Sequence, residues 1–317
     1  MCETFPISTS VSFKAETKVA FGKVTLGQRL SSQEFDDLWY DVVSDYTTCF
    51  LSKDTDRLVA IGGLATVLQE MCGDRYLAGL WYENLISQLC WRRTGLEKSS
   101  WRRNENQFPV SSWSEGGGYI APTWSWASCN YPVNFGPMRR VDPVIKVAKI
   151  LNVIIDPVTD SPYGQIKGGE LQLRGRLAKV VLHRDKKIEI ACGRDRLLLP
   201  NLRSGLQILW DEPYDYMQYP SYLEGATLYL LPLLQDGPYS AERFMNKYQR
   251  LDGIVIQPSV SQPGRFKRCG NFYSTWQPMT DFIWCGSDYF DAISADCGLD
   301  LEISELNGEK AYIINII

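Results

Sequence analysis

The chain has 317 residues, a formal net charge of −4, and a hydrophobic share of 44% that can build a core. It carries 10 Trp, 17 Tyr and 12 Phe but one histidine, His183. A metal site built from several histidines is therefore excluded, and the mildly acidic balance argues against nucleic acid as the main partner.

The cysteines and the first residues indicate a reducing compartment. No two of the nine cysteines are spaced C-x-x-C, and an odd number in so large a chain argues against a disulfide-stapled secreted scaffold. Residues 1–6 contain no basic segment followed by an apolar run, so no signal peptide is predicted. The longest apolar run, 226–234, is too short to span a bilayer. We expect a soluble cytoplasmic protein with mostly buried thiols and no membrane span.

The first third of the chain predicts mainly helices. Alternating apolar residues over 11–21 suggest an opening hairpin or edge strand. Ser31 and Glu34 then form a capping-box pattern. The helix that follows has apolar residues at helical spacing: Phe35, Leu38, Trp39, Val42, Val43 and Tyr46. A second helix is expected to be capped by Asp54 or Thr55 and to end at Gly73, and a third lies within 80–93.

From residue 144 onward the pattern changes to strands separated by Gly, Pro and Asp turns. Strands are predicted over 144–155, 170–183, 187–191, 196–199, 226–234, 251–257, 265–274 and 311–317. Helices followed by strands predict an α+β fold, with an N-terminal helical part packed on a C-terminal antiparallel β-sheet or barrel. We expect one integrated unit: mainly helical residues 1–118, with a long polar loop at 95–118, and β-rich residues 119–317.

The sequence motifs of common cofactor-binding and nucleophilic sites are absent or lack a required residue in this chain. Residues 22–28 approach a P-loop, but Gln28 stands where the phosphate-binding lysine is required. No G-x-S-x-G elbow occurs. His183 ends a predicted strand, and we expect it to be structural or exposed rather than a catalytic base. No cofactor is therefore predicted.

An aspartate-rich stretch on the first predicted helix also lacks one ligand. Asp36, Asp37 and Asp41 resemble the metal motif of terpene cyclases, but the position one turn after Asp36 is Tyr40. We therefore expect the three carboxylates to face water, and no metal site is predicted.

Four segments in a fixed order carry a resemblance to a known family. They read LSKDTDRLVAIGGLA (51–65), DRYLAGLW (74–81), LCW (89–91) and APTWSWAS (121–128). This succession resembles the region C-terminal to the effector domain in fungal heterokaryon-incompatibility (HET) domain proteins. Segments 229–233, 253–256 and 266–270 also look like the terminal strands of that family, so the resemblance covers about residues 35–275.

The resemblance implies a module that lacks its usual companion. In the family, the effector is an N-terminal domain that resembles TIR-like folds, whereas about 30 residues precede the matched helix here. We expect the chain to carry no effector activity. The matched tryptophans are expected to fill the seam between helices and sheet or to line a pocket, and Arg57 is expected to pair with the neighbouring Asp56.

The aromatic surplus and the missing motifs lead to the first functional hypothesis. It is a cofactor-independent cyclase of fungal secondary metabolism, a pericyclase or Diels-Alderase-like enzyme that holds a small lipophilic intermediate in an aromatic-lined pocket. Such an enzyme works by orientation and by hydrogen bonds to a polarised carbonyl. The candidate substrate-binding residues are Trp81, Trp91, Tyr119, Trp124 and Trp126; no catalytic residue is assigned.

Two other classes stay open. One is a non-enzymatic interaction or regulatory module of a HET-type incompatibility protein, which binds a protein partner through an exposed apolar patch. The other is a hydrolase or transferase that uses His183 or a reactive cysteine. An enclosed apolar cavity would favour the cyclase, and a flat, patchy surface would favour the module.

Overall fold

The structure, a computed structural model, describes most of the helical part and most of the sheet. The described residues are 15–49, 51, 53–94, 119–135, 144–182, 188–192, 195–199, 206–211, 223, 225–236, 250–275, 301–306 and 309–317. The predicted polar loop at 95–118 and His183 lie outside them. Helices come first and strands second, which confirms the α+β prediction.

The first described element is a helix where a strand was predicted. Helix α1 spans Ala15–Thr25, so the opening strand predicted over 11–21 is wrong from residue 15 onward; residues 11–14 lie outside the described part. Thr17 and Ala20 are buried three positions apart while Val19 is 60% exposed, a helical rather than an alternating burial. Apolar residues alternate along this part of the sequence, but the burial of the side chains follows the period of a helix.

Helix α2, Ser32–Tyr46, confirms the capping box. The Glu34 N–H donates to Ser31 Oγ at 3.2 Å, and the Ser31 N–H donates to Glu34 Oε2 at 2.9 Å. Glu34 also accepts from Lys23 of α1, and these hydrogen bonds, that from Lys23 foremost, lower the pKa of Glu34 to about 2. The inner face of α2 buries Phe35, Leu38, Trp39, Tyr40, Val42 and Val43.

Helix α3, Arg57–Cys72, follows a short 3-10 turn over Asp54–Asp56. The predicted cap at Asp54 or Thr55 is wrong, because Asp56 precedes the helix without a side-chain cap bond. Gly73 ends the helix at φ +72°, as predicted, and its N–H donates to Gln69 O at 2.8 Å. The buried face of α3 consists of Arg57, Leu58, Ile61, Gly62, Ala65 and Leu68.

Short elements connect the helices to the sheet. They are β1 (Tyr76–Leu77), β2 (Leu80–Trp81), α4 (Leu85–Gln88), β3 (Arg92–Arg93) and β4 (Val133–Asn134). β1 pairs with β2, and β3 pairs with β4, both antiparallel. The helix predicted within 80–93 is thus a single turn, with strands on both sides of it. The tryptophan segment forms a 3-10 turn at Trp126–Ser128.

The described strands from residue 144 onward form one large sheet. They are β5 (Val144–Lys146), β6 (Lys149–Pro157), β7 (Ile166–Gly175), β8 (Ala178–Leu182), β9 (Ile188–Cys192), β10 (Asp195–Leu199), β11 (Leu206–Trp210), β12 (Thr227–Asp236), β13 (Arg250–Pro258), β14 (Arg265–Thr275), β15 (Ile303–Leu306) and β16 (Glu309–Ile316). Six of the eight predicted strands are found as single strands. The predicted strand 144–155 is divided into β5 and β6, and 170–183 is divided into β7 and β8, whose neighbours in the sheet differ. Strands β11 and β15 were not predicted.

The order of this sheet is β10-β9-β8-β12-β13-β14-β16-β7-β6, with β11 on β14, β15 on β16 and β5 on β12. Its pairings are antiparallel except the parallel pair of β14 and β16. Among the described strands the path has two ends, so the barrel alternative is wrong and the open sheet is right. The larger apolar core joins α2, α3 and residues 76–91 to one face of the sheet.

Candidate functional site

The four tryptophans of the matched segments lie in the interior. Trp81, Trp91, Trp124 and Trp126 have an exposed fraction of 0%, and all belong to the larger core. Tyr119 is 48% exposed, and partial burial, followed by the nearby Asp156 carboxylate, raises its pKa. The structure thus places the tryptophans in one core and leaves Tyr119 at the surface.

Arg57 joins the first matched segment to the tryptophan segment. Its Nη1 donates to the carbonyl oxygens of Ala127, at 2.9 Å, and Cys129. Its Nη2 donates to Asn130 Oδ1 at 3.0 Å and lies 3.3 Å from Asp54 Oδ1. The ion pair expected with Asp56 therefore forms with Asp54. The planar fork of a guanidinium can hold several carbonyls at once, so Arg57 fixes the end of the 126–128 turn.

The turn at Ala78 and Gly79 joins the second matched segment to the tryptophan segment. Gly79 O accepts from Trp126 Nε1 at 2.6 Å and from Trp39 Nε1 at 3.1 Å, while Ala78 O accepts from Ser125 Oγ at 2.6 Å. Gly79 has φ +94°, and a Cβ there would lie 2.6 Å from Trp126 Nε1. The turn therefore requires glycine both for its backbone conformation and for space.

Arg268 of β14 holds the third matched segment. Its guanidinium forks onto Asp211, with Nε to Oδ2 at 2.8 Å and Nη2 to Oδ1 at 3.1 Å. It also donates to Leu89 O and Trp91 O and lies 3.4 Å from the centre of a Trp91 ring. Trp91 Nε1 in turn donates to Trp124 O at 2.9 Å. The buried Arg268 guanidinium and the partly buried Asp211 carboxylate are thus paired and hydrogen-bonded, as burial of a charge requires.

The matched segments therefore form one interlocked unit, which we call the signature seam: Arg57, Trp91, Trp126, Asp211 and Arg268. The polar groups of these residues form hydrogen bonds with other residues of the chain, so their role is to stabilise the fold. The sequence alone does not pair Asp211 with Arg268, because the two are 57 positions apart. The available signal for Arg268 was its place in the matched segment 266–270.

Two of the four indoles differ from the others. Trp81 Nε1 and Trp124 Nε1 are buried and have no hydrogen-bond partner, as judged from the part of the chain that the structure describes. An unsatisfied buried donor costs about 1–3 kcal/mol. Three aromatic rings lie edge-on to Trp81, with centroid distances of 5.1 Å for Phe35, 5.3 Å for Trp39 and 5.2 Å for Tyr76. Within the described part of the chain, these four residues, the Trp81 cluster, hold two unsatisfied polar groups between aromatic rings, Trp81 Nε1 and Tyr76 Oη.

Asp36 of α2 forms a polar joint next to this cluster. Its Oδ2 accepts from Asn84 Nδ2 at 2.6 Å, and its Oδ1 accepts from Gln88 Nε2 at 3.5 Å. Gln88 is completely buried, and its Oε1 accepts the Trp81 backbone N–H at 2.8 Å. Burial is the main cause that raises the pKa of Asp36 to about 7.

The prediction that the three aspartates of α2 face water is therefore wrong for two of them. Asp36 is half-buried in the joint, and Asp41 accepts a hydrogen bond from Thr17 of α1. Asp37 is half-buried and accepts from Gln33 Nε2 at 2.9 Å on the same helix. The reason is that α1 and the 84–88 turn cover the flanks of α2, which the sequence pattern of α2 alone does not reveal.

Two of the described thiols, Cys72 and Cys129, have surroundings that make them poor nucleophiles. Cys49 and Cys72 are exposed, while Cys90, Cys129 and Cys269 are buried. Burial, and then the nearby Asp211, raise the pKa of Cys129 to about 12, and burial raises the pKa of Cys72. A raised pKa keeps a thiol protonated and weakly nucleophilic.

Within the described ranges, no group of three or more His, Cys, Asp or Glu side chains is arranged to hold a metal ion. No described helix has the length and apolar character that crossing a membrane requires. Comparisons with protein-family models, with curated proteins and with solved structures give no match to this chain. The resemblance to the HET-domain region therefore stays a prediction based on the quoted segments.

Proposed function

We propose that the chain binds a small lipophilic ketone in the Trp81 cluster and steers its cyclisation without a cofactor. The observation that carries this proposal is the buried, unused indole N–H of Trp81 among three aromatic rings. A carbonyl oxygen is an acceptor that would satisfy this donor. The surrounding rings offer the apolar surface that an unsaturated chain requires.

Three physical effects of this site would promote ring closure. A hydrogen bond to the ketone polarises it as ring closure begins, and the enclosing rings restrict the chain to conformers that bring its reacting carbons together. Aromatic faces also stabilise positive charge that develops on the closing chain. The reaction is an isomerisation in which one carbon–carbon bond forms at the expense of one π bond. Water supplies a proton to the terminal double bond and accepts a proton from the closed ring, so the product keeps the composition of the substrate.

The matched tryptophans then fall into two groups. Trp91 and Trp126 donate to backbone carbonyls and serve the signature seam. Trp81 supplies the ligand donor, and Trp124, whose indole N–H is equally unused, is the second candidate. Because Trp81 is completely buried, a ligand enters only when the rings of the cluster move apart, so we expect slow association.

The test uses pseudoionone, an acyclic trienone whose cyclic isomers are the ionones, and myrcene, an acyclic hydrocarbon without a carbonyl. We expect the chain to bind pseudoionone more tightly than myrcene and to convert it to a product of equal mass, detected by gas chromatography and mass spectrometry. Trp81→Phe should reduce the preference for the ketone by up to about tenfold, since one hydrogen bond is lost.

Trp91→Phe is the matched control, because it removes an indole donor that is already bonded to Trp124 O. It should lower stability and, at a temperature where the variant is folded, leave the ketone preference unchanged. Equal affinity for pseudoionone and myrcene in the unmodified chain would refute the ketone site. Binding without conversion would refute the cyclisation step alone.

The second candidate is a non-enzymatic interaction or regulatory module. The interlocking of the matched segments favours it, because a scaffold needs no more from these residues than mutual support. Under this candidate all four matched tryptophans are structural. Trp81→Phe and Trp91→Phe should then both act on stability alone, and pseudoionone should leave the chain unchanged.

A further inference from the structure

The joint between α2 and the 81–88 segment has a property that does not depend on the Trp81 indole. We propose that Asp36 and Asn84 form a two-state hydrogen-bond pair, in which the Asn84 amide reverses its orientation when Asp36 takes up a proton. The proposal rests on which groups around Asp36 can turn and which cannot.

In the ionised state the carboxylate can only accept. Asn84 Nδ2 donates to one carboxylate oxygen at 2.6 Å, and Gln88 Nε2 donates to the other at 3.5 Å. Both amides therefore present their NH2 ends to Asp36. This arrangement satisfies the carboxylate without a cation in contact with it.

Protonation adds an O–H donor to a site that holds two donors already. Gln88 cannot turn to accept it, because its Oε1 is held by the Trp81 N–H at 2.8 Å and its side chain is completely buried. Asn84 is half-buried and makes no cap bond to α4. Rotation of its amide by half a turn would present Oδ1 to the new O–H, so Asn84 is the part that moves.

The charges that face Asp36 come from three elements. After burial, which is the largest influence, Asp37 of α2 and Asp74, which follows α3, raise the pKa of Asp36. Lys146 of β5 and the hydrogen bond from Gln88 lower it, and the balance places it at about 7. Lys146 is held beside the joint, since its Nζ donates to Glu83 O at 3.2 Å.

One further titratable group, Tyr40, lies near the joint and stays neutral. Burial is the main cause that raises the pKa of Tyr40 well above its ordinary value, with Asp36, Asp37 and Cys90 adding to the effect. The neighbouring Gln88 amide has a smaller, opposite effect on the pKa of Tyr40. The proton that changes the joint near neutrality is therefore the proton of Asp36.

The experiment is an NMR titration of the full chain from about pH 5 to pH 9, which brackets a shifted carboxyl. It follows the Asp36 Cγ and the side-chain amide signals of Asn84 and Gln88. We expect Asp36 and Asn84 to share one midpoint near 7, and the Gln88 signals to change far less. An Asp36 signal that stays constant above about pH 5, as expected for a carboxyl with the ordinary pKa of 3.8, would overturn the proposal, and so would an Asn84 signal that does not follow the Asp36 midpoint.

Two variants outside the pair test the same assignment without disturbing its hydrogen bonds. Lys146→Met removes the attracting charge and should raise the shared midpoint, whereas Asp37→Asn removes a repelling charge and should lower it. Lys167→Met is the matched control, because Lys167 pairs with Asp156 at 3.4 Å and not with the joint. Shared midpoints that stay unchanged in both test variants would contradict the proposal. Since pseudoionone binding is not used, failure here leaves the proposed function standing.

Discussion

The chain contains two buried polar regions that are built in opposite ways. In the signature seam, the Arg268 guanidinium meets Asp211 and two backbone carbonyls, and the Trp91 and Trp126 indoles reach carbonyls as well. On the α2 side, Trp81 Nε1 has no partner among the described residues. There, Asp36 is held by two amides rather than by a cation.

The contrast separates residues that stabilise the fold from residues that cost stability. A buried polar group that is hydrogen-bonded contributes modestly to stability. A buried donor without an acceptor, or a buried carboxylate without a counter-ion, lowers stability, and the rest of the fold must offset this cost. Local departures of this kind are expected at functional sites. The signature seam therefore stabilises the fold. The Trp81 cluster and Asp36 are where we propose that a ligand and a proton bind.

The largest expected effect lies in the seam. Arg268→Met leaves Asp211 and the carbonyls of Leu89 and Trp91 without their partner, and we expect a loss of about 3–5 kcal/mol in the free energy of unfolding. Arg265→Met on the same strand is the control. Its ion pair with Glu170 is partly exposed and is worth about 0–1 kcal/mol. Urea denaturation measures both, and equal losses would contradict the account of the seam.

The next effect belongs to the α2 side and depends on pH. The pKa of Asp36 is about 7 in the folded chain against an ordinary value of 3.8, so between these values the folded chain binds more protons than the unfolded chain. The free energy of unfolding should therefore fall as pH rises from about 4 to 7, by on the order of 2–4 kcal/mol, and then level off.

Asp36→Asn should remove most of this fall, because it removes the ionisation. Chemical denaturation at several pH values checks it. The range below about pH 4.5 is left out, since the lowered pKa of Glu34 makes stability fall there as pH drops. Parallel profiles for the variant and the parent would show that Asp36 is not the group responsible.

A pair of glycine variants probes the turn that joins the two regions. Gly79→Ala must place a Cβ against the Trp126 indole at φ +94°, and we expect a loss of about 1–3 kcal/mol. Gly63→Ala on α3 meets nothing within 4 Å and should instead stabilise by up to about 1 kcal/mol. The opposite signs are the result to look for in thermal unfolding; a neutral Gly79→Ala would show that the turn is not constrained.

The smallest expected effect compares two tryptophans directly. Trp91→Phe and Trp81→Phe both remove buried volume, but Trp91→Phe also leaves Trp124 O without its donor. We therefore expect Trp91→Phe to cost about 1–2 kcal/mol more. Denaturant midpoints of the two variants measure the difference, and an equal or reversed order would remove the distinction between structural and unused indoles.

The sequence predicted the elements whose signal is local. The capping box of α2, the buried stripe from Phe35 to Val43, the end of α3 at Gly73 and most strands of the sheet follow from spacing and turn residues. The apolar pattern predicts a strand where helix α1 lies, because a few alternating apolar residues are compatible with the period of a strand and with that of a helix. Two strands, β11 and β15, carried no pattern that was recognised.

The candidate site was predictable in its residue types and not in its arrangement. The matched segments pointed to the four tryptophans, but which indoles are bonded depends on where carbonyls such as Gly79 O lie in the folded chain. Likewise, Asp36 and Asn84 are 48 positions apart and meet only through the packing of α2 on the 84–88 turn. Pairs of this kind leave no trace in local spacing.

The most direct test of the central claim is the indole region of the proton–nitrogen NMR spectrum, recorded with pseudoionone and with myrcene. A carbonyl that accepts from Trp81 Nε1 should move that indole proton downfield with the ketone alone, while the bonded indoles of Trp91 and Trp126 stay in place. Bound pseudoionone that leaves the Trp81 signal unchanged would contradict the claim that this buried donor is the ligand contact.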